Sequence, residues 1–194
     1  MNRIEKAFEL FDEYNRHDPH QLVWQGESFA AEYFYALQLY NWVKKLEPAA
    51  GEFLLLASRA QHIGRWKTPR TKYPEGKAGY LNWRKDLARF HANTAGELME
   101  QAGYNNEEVK VVQHIILKEN LRFDQEVQVM ENALCLMFLQ FQYADFILKH
   151  ADDNLVIRIL KKTWGKMSEP GKEAALHLQF EGRAKDLMEK ALSA

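Results

Sequence analysis

Cysteine is almost missing from this chain. Cys135 is the only one, set in the apolar run NALCLMFL. An internal disulfide is therefore excluded, a reduced cytosolic setting fits, and a thiol in such apolar surroundings is expected to be unreactive. The N-terminal stretch MNRIEKAFELFDEYNRH has no apolar segment ahead of a small-residue cleavage site, so no signal peptide is expected. Long hydrophobic runs are lacking too. The richest, Ala133 to Phe141, is too short to span a bilayer. Net charge is close to absent, at -1 with pI near 6.7, which disfavours a dedicated nucleic-acid binder. Also absent are convincing alternating strands, internal repeats and low-complexity segments, as are HxxxH or CxxC spacings, a Ser/His/Asp order and a phosphate-cradling glycine loop. The expectation is a soluble, cytoplasmic protein with no membrane segment.

What is present is helical periodicity. With 46% hydrophobic and 12% aromatic residues, 194 residues suffice for one core, and a single domain over 1–194 is expected. Ile4, Phe8 and Phe11 with Ala7 and Tyr14 give an amphipathic helix from Asn2 to His17, broken at Asp18-Pro19. Ser28 is read as the cap of a helix from Phe29 to Leu46, and Pro48 as the opening of one that ends near Arg65. A helix from about Tyr80 to Ala102 closes on Gly103. Asn105 or Asn106 with Glu107 and Glu108 starts another, to about Leu121. Asp124 caps the most apolar helix, Gln125 to His150; Leu155 to Trp164, a short helix opened by Ser168-Glu169-Pro170, and about Gly182 to Ala191 follow. The fold class is all-α: a single compact multi-helix domain.

The chain is organised around Ala57 to His91. From Arg59 to Arg89 it holds nine basic residues against two acidic ones, a local positive charge that suits an anionic ligand. Ser58, Gln61, His62 and Arg65 fall on one helical stripe, and His91 lies on the inward stripe of Arg84, Leu87, Ala95 and Leu98. Glu119 and Glu131 continue apolar stripes of their own helices. Carboxylates in such positions need a partner or a metal. His62, His91, Glu119 and Glu131 are therefore candidates for a divalent-metal site (Mn, Fe or Zn), with the two histidines as ligands and the two glutamates completing coordination or acting as general base. The competing reading pairs each of them with an ordinary structural neighbour. Arg59, Arg65, Arg70 and Arg84 are candidates to hold anionic oxygens, with Gln61 beside them and Trp66 and Trp83 walling the pocket. His62-Ile63-Gly64 and Lys166-Met167-Ser168 match parts of the two class I aminoacyl-tRNA synthetase signatures, but that chemistry needs a parallel sheet, and no βαβ pattern is present.

The run QHIGRWKTPR…YPEGKAGYLNWR…LARFH, with ENALCLMFLQFQYADF and LKKTWGKMS further on, resembles the uncharacterised domain-of-unknown-function 4202 family over nearly the whole chain. More distantly, the helix order is similar to the HD superfamily of metal-dependent phosphohydrolases. That similarity implies an HD-like fold and a His-Asp doublet at the end of a buried helix, where this chain has Gln61-His62. FHANTAGELM, with His91, is similar to the helix that follows; the first HD histidine would fall near Tyr35 and the last aspartate near Glu131 or Cys135. The expected function is binding of a phosphorylated or nucleotide-like small molecule, with metal-dependent hydrolysis as its extension. The missing doublet favours the alternative, an inactive HD-like module that senses a ligand or binds a protein.

Overall fold

A computed structural model describes residues 2–193 and is all-α but for one small hairpin. The chain divides into two compact units, the first running to Val127 and the second starting at Gln128.

In the first unit α1 (Arg3–Arg16) is opened by a capping box, in which the Asn2 side chain accepts the Glu5 amide and the Glu5 carboxylate accepts the Asn2 amide. The segment after Asp18-Pro19 departs from the sequence reading. It forms two antiparallel strands, β1 (Gln21–Trp24) and β2 (Glu27–Ala30), paired Trp24 to Glu27. Gln25 and Gly26 both take positive φ, as the tight two-residue turns that match strand twist require. Ser28 thus belongs to a strand; its hydroxyl donates across the hairpin to Gln21 and caps nothing.

Helix α2 (Ala31–Leu46) is capped from a distance, because buried Asp18 accepts the Glu32 amide at 3.0 Å. Next come α3 (Glu52–Ala60), two 3₁₀ turns (Arg65–Lys67 and Arg70–Lys72), α4 (Gly76–Ala102) and α5 (Asn106–Leu117). The Asn105–Glu108 capping box starts α5, and Gly103 ends α4 in the left-handed region. Helix α3 packs on α2, α5 and α1, while α4 packs on α5 and α1. Phe11, Leu39, Leu56, Ile63, Met99 and Ile115 fill the core between them.

Helix α6 (Gln125–Phe141) begins at the end of the first unit. The single helix expected to His150 is two: Gln142 leaves helical geometry, and α7 (Tyr143–Lys149) follows. The second unit continues with α8 (Asp153–Trp164), capped by Asp152, then α9 (Glu169–Leu176) and α10 (Gly182–Leu192). Here α10 packs on α8 and α7, and the Tyr143 hydroxyl donates to the Ala184 carbonyl. No helix among the described residues is long and apolar enough to cross a membrane.

Candidate functional site

The turn that closes α3, from Gln61 to Gly64, is held by three neighbouring helices. Gly64 takes φ +67°, and its amide donates to the Asn15 side chain on α1 at 3.2 Å. A side chain at Gly64 would run into the rings of Tyr14 and Phe90, so the turn needs glycine for space as well as conformation. From α4, His91 donates its Nδ1 proton to the Ile63 carbonyl at 2.6 Å. Toward α5, the Gln61 amide donates to the Ile116 carbonyl at 3.0 Å.

This scaffold brings His62 and His91 together, their ring centroids 5.8 Å apart. His91 is 3% exposed, and burial lowers its pKa to about 4, against the bond to Ile63 and helped by Arg65 and Arg84. His62 shows only part of its surface to solvent. Desolvation, then the positive charges of Arg65, Lys118 and Arg84 around it and His91, hold it well below the ordinary histidine range. Both imidazoles are neutral at pH 7.

The sequence reading missed Glu32. It is 9% exposed, and burial pushes its pKa up to about 7, with Arg65 pulling it down and Asp18 pushing it up. Its Oε1 lies 3.8 Å from the Arg65 Nε, an ion pair too long for a hydrogen bond. Arg65 is thus the common neighbour of Glu32, His62 and His91. The signal that would have found Glu32 is that it is the only acidic residue in the aromatic-rich helix Ala31–Leu46.

Three buried side-chain atoms at this corner meet no hydrogen-bond partner: Glu32 Oε2, Gln61 Oε1 and His91 Nε2. The protonation of each follows from the bond its other end makes. A carbonyl only accepts, so His91 carries its proton on Nδ1 and presents a lone pair at Nε2. Gln61 spends its amino group on Ile116 and presents its oxygen.

The other residues expected at the site have varied settings. Arg84 is exposed, its guanidinium 3.4 Å from the Tyr80 hydroxyl. Arg65 also lies over the Trp83 ring, whose indole donates to the Thr68 carbonyl. Arg59 makes two hydrogen bonds to Asp12 and stacks on Phe8 and Tyr40. Arg70 ties its own loop by donating to the Tyr73 and Pro74 carbonyls, and Trp66 packs on Tyr14. Glu119 lies in a different cluster, where His114 bridges it and Asp124 at 3.0 Å each. Glu131 is buried in the second unit, 3.3 Å from Lys166.

Among the described residues no group of three or more His, Cys, Asp or Glu side chains is arranged to hold a metal ion. The donor set at the corner points the same way: Gln61 stands beside the two imidazoles, and the carboxylate of Glu32 is paired with Arg65 at 3.8 Å. The positive charges gathered on His62 oppose a divalent cation.

A family model described as Domain of unknown function (DUF4202) matches residues 5–188, a span that crosses both units. The chain belongs to that family. Neither a curated protein nor a solved structure matches it. For this DUF4202 chain, the corner around Arg65 is where Glu32, Gln61 and His91 each keep a buried polar atom without a partner in the chain.

Proposed function

We propose that this chain binds a small anionic molecule, of the phosphate-bearing class, at the corner where Arg65 meets Glu32, His62 and His91. One observation carries the reading: Arg65, part-exposed and only loosely paired with Glu32 at 3.8 Å, follows the turn where the His62 and His91 rings lie 5.8 Å apart, and its charge and that of Arg84 weigh on both imidazoles. A positive field over partly desolvated groups attracts an anion more strongly than the same charges would in open water. Arg65 supplies the geometry. Its side chain is 39% exposed, and its loose pairing with Glu32 leaves the guanidinium able to turn and grip two oxygens of a phosphate. The sequence reading extended this binding to metal-dependent phosphoester hydrolysis. The residues present do not fit that metal centre. A ligand-binding module is the reading we adopt.

The test is calorimetric titration of the full chain with inorganic phosphate and pyrophosphate at fixed ionic strength, with Arg65→Ala and Arg84→Ala alongside. We expect binding by the parent and a loss of roughly tenfold or more in Arg65→Ala, the size of a charged hydrogen bond. Absence of any heat or thermal stabilisation at millimolar phosphate compounds would overturn the proposal.

A further inference from the structure

The chemistry of the corner says more about its ligand than charge alone. Glu32 Oε2, Gln61 Oε1 and His91 Nε2 are all more than nine-tenths buried, and no protein donor reaches them. All three can accept. The bond from His91 Nδ1 to Ile63 fixes the tautomer, and the bond from Gln61 to Ile116 fixes the amide. As a carboxylate, Glu32 offers lone pairs as well. Buried acceptors left without a donor are costly, and each is a place where an added donor is rewarded.

A bare phosphate satisfies only part of such a surface. Its oxygens satisfy Arg65 but bring acceptors up against acceptors at Glu32 and His91. A molecule that carries hydroxyl or amino groups next to its phosphate satisfies both sides, with the anion on Arg65 and its O–H or N–H groups donating inward. The two roles lie side by side, because Arg65 is the ion-pair neighbour of Glu32 and His91 is bonded to the carbonyl of Ile63, two residues before Arg65. We propose that the ligand is a hydroxyl- or amino-bearing phosphate, of the polyol or sugar phosphate class, whose donors are read by Glu32 and His91; this rests on the reading of the corner as an anion site. Sites built to hydrogen-bond a hydroxyl discriminate strongly against the analogue that lacks it, since the buried partner is left unpaired. Gln61 gives a third acceptor on the same turn.

The experiment compares molecules of equal charge and carbon number. The full chain is titrated with n-propyl phosphate and with glycerol 1-phosphate, which adds two hydroxyls, and with inorganic phosphate as the reference. We expect glycerol 1-phosphate to bind at least tenfold more tightly than n-propyl phosphate, on the order of one matched donor. In Glu32→Ala that ratio should fall toward one. Equal binding of the two esters by the parent would overturn the inference and leave the anion site standing. No binding by any of the three would overturn both. A preference that persists unchanged in Glu32→Ala and in His91→Phe, each checked for helical content, would overturn the assignment to these two residues. The comparison in the parent needs no variant to fold.

Discussion

His91 and Ile63, 28 residues apart, share a 2.6 Å hydrogen bond from imidazole Nδ1 to backbone carbonyl. It ties the middle of α4 to the turn after α3, and it decides which face of the imidazole remains an acceptor. It also sets up an opposition with Glu32 in how stability responds to pH. A buried histidine held at a pKa of about 4 stays neutral in the fold while the unfolded chain takes up a proton below about 6.5, so its contribution is lost as pH falls from 6.5 to 4. Glu32, raised to about 7, does the reverse: the fold keeps the proton that the unfolded chain releases near 4.5, and stability is lost as pH rises from 4.5 to 7.

Each of these effects is worth about 3 kcal/mol, and over pH 4.5 to 6.5 they cancel. His62 adds on the histidine side. Urea denaturation across this range should therefore show a modest rise of stability with pH in the parent. Glu32→Gln should steepen the rise and make the protein more stable above pH 7. His91→Gln should flatten or invert it. Parallel curves for all three proteins would show that the two groups do not titrate as their burial requires.

Arg59 illustrates a basic residue whose structural setting differs from its expected one. It makes a paired hydrogen bond with Asp12, at 2.7 and 2.6 Å, and both side chains are nearly buried. Removing one partner of such a pair leaves an uncompensated charge, costing about 3–5 kcal/mol. Asp12→Ala is expected to lose that much in chemical denaturation, whereas phosphate affinity of the folded protein should stay within about twofold of the parent. A large drop in phosphate affinity with stability unchanged would return Arg59 to the binding surface.

Periodicity and caps made most of the fold legible. Gly103 at the end of α4 and the Asn105–Glu108 box at the start of α5 are local signals, readable because capping needs no distant partner. The hairpin escaped because its strands have four residues each and are mostly exposed, so no buried alternation marks them, and Gln25 is an unusual residue for positive φ. The break at Gln142 carries no proline or glycine. At the site, His62 and His91 were legible from their stripes. Glu32 was not, since its chemistry arises from burial in the tertiary fold, and then from Arg65 and Asp18, 33 and 14 positions away. Glu119 sits on a helical stripe in the sequence, but α5 ends at Leu117 and Lys118 turns left-handed, which directs the chain to the His114 cluster instead.

Gly79 predicts a defect in the basic loop. It is buried within α4, and a Cβ there would fall inside the contact distance of the Pro74 carbonyl. Arg70 grips that same carbonyl, and Tyr73 donates to Asp86, so the loop has little room to yield. Gly79→Ala gains up to about 1 kcal/mol of helix propensity but should still lose about 1–3 kcal/mol net through the clash. Hydrogen exchange should report faster opening of residues 68–75 in this variant. A stabilised Gly79→Ala protein with unchanged exchange would mean that the loop moves aside freely.

Asn132 plays the corresponding part in the second unit. Its Oδ1 accepts the Ser168 amide and the Gln128 side chain at 3.0 Å each, and its amino group donates to the Ser168 hydroxyl at 2.8 Å. Ser168 itself makes no side-chain cap on α9, so Asn132 serves the start of that helix from outside. Gly171 sits so close that an added Cβ would overlap the Asn132 amide. Asn132→Ala strips partners from the half-buried Ser168 amide and hydroxyl and should cost about 1–2 kcal/mol, while Gly171→Ala should cost about 1–3 kcal/mol by overlap. The two must couple. Once the Asn132 amide is gone, the methyl of Gly171→Ala occupies vacated space, so the double variant should be more stable than the sum of the single losses predicts, by at least about 1 kcal/mol. Strict additivity in a double-mutant cycle would show that α9 does not bear on Asn132 through Gly171.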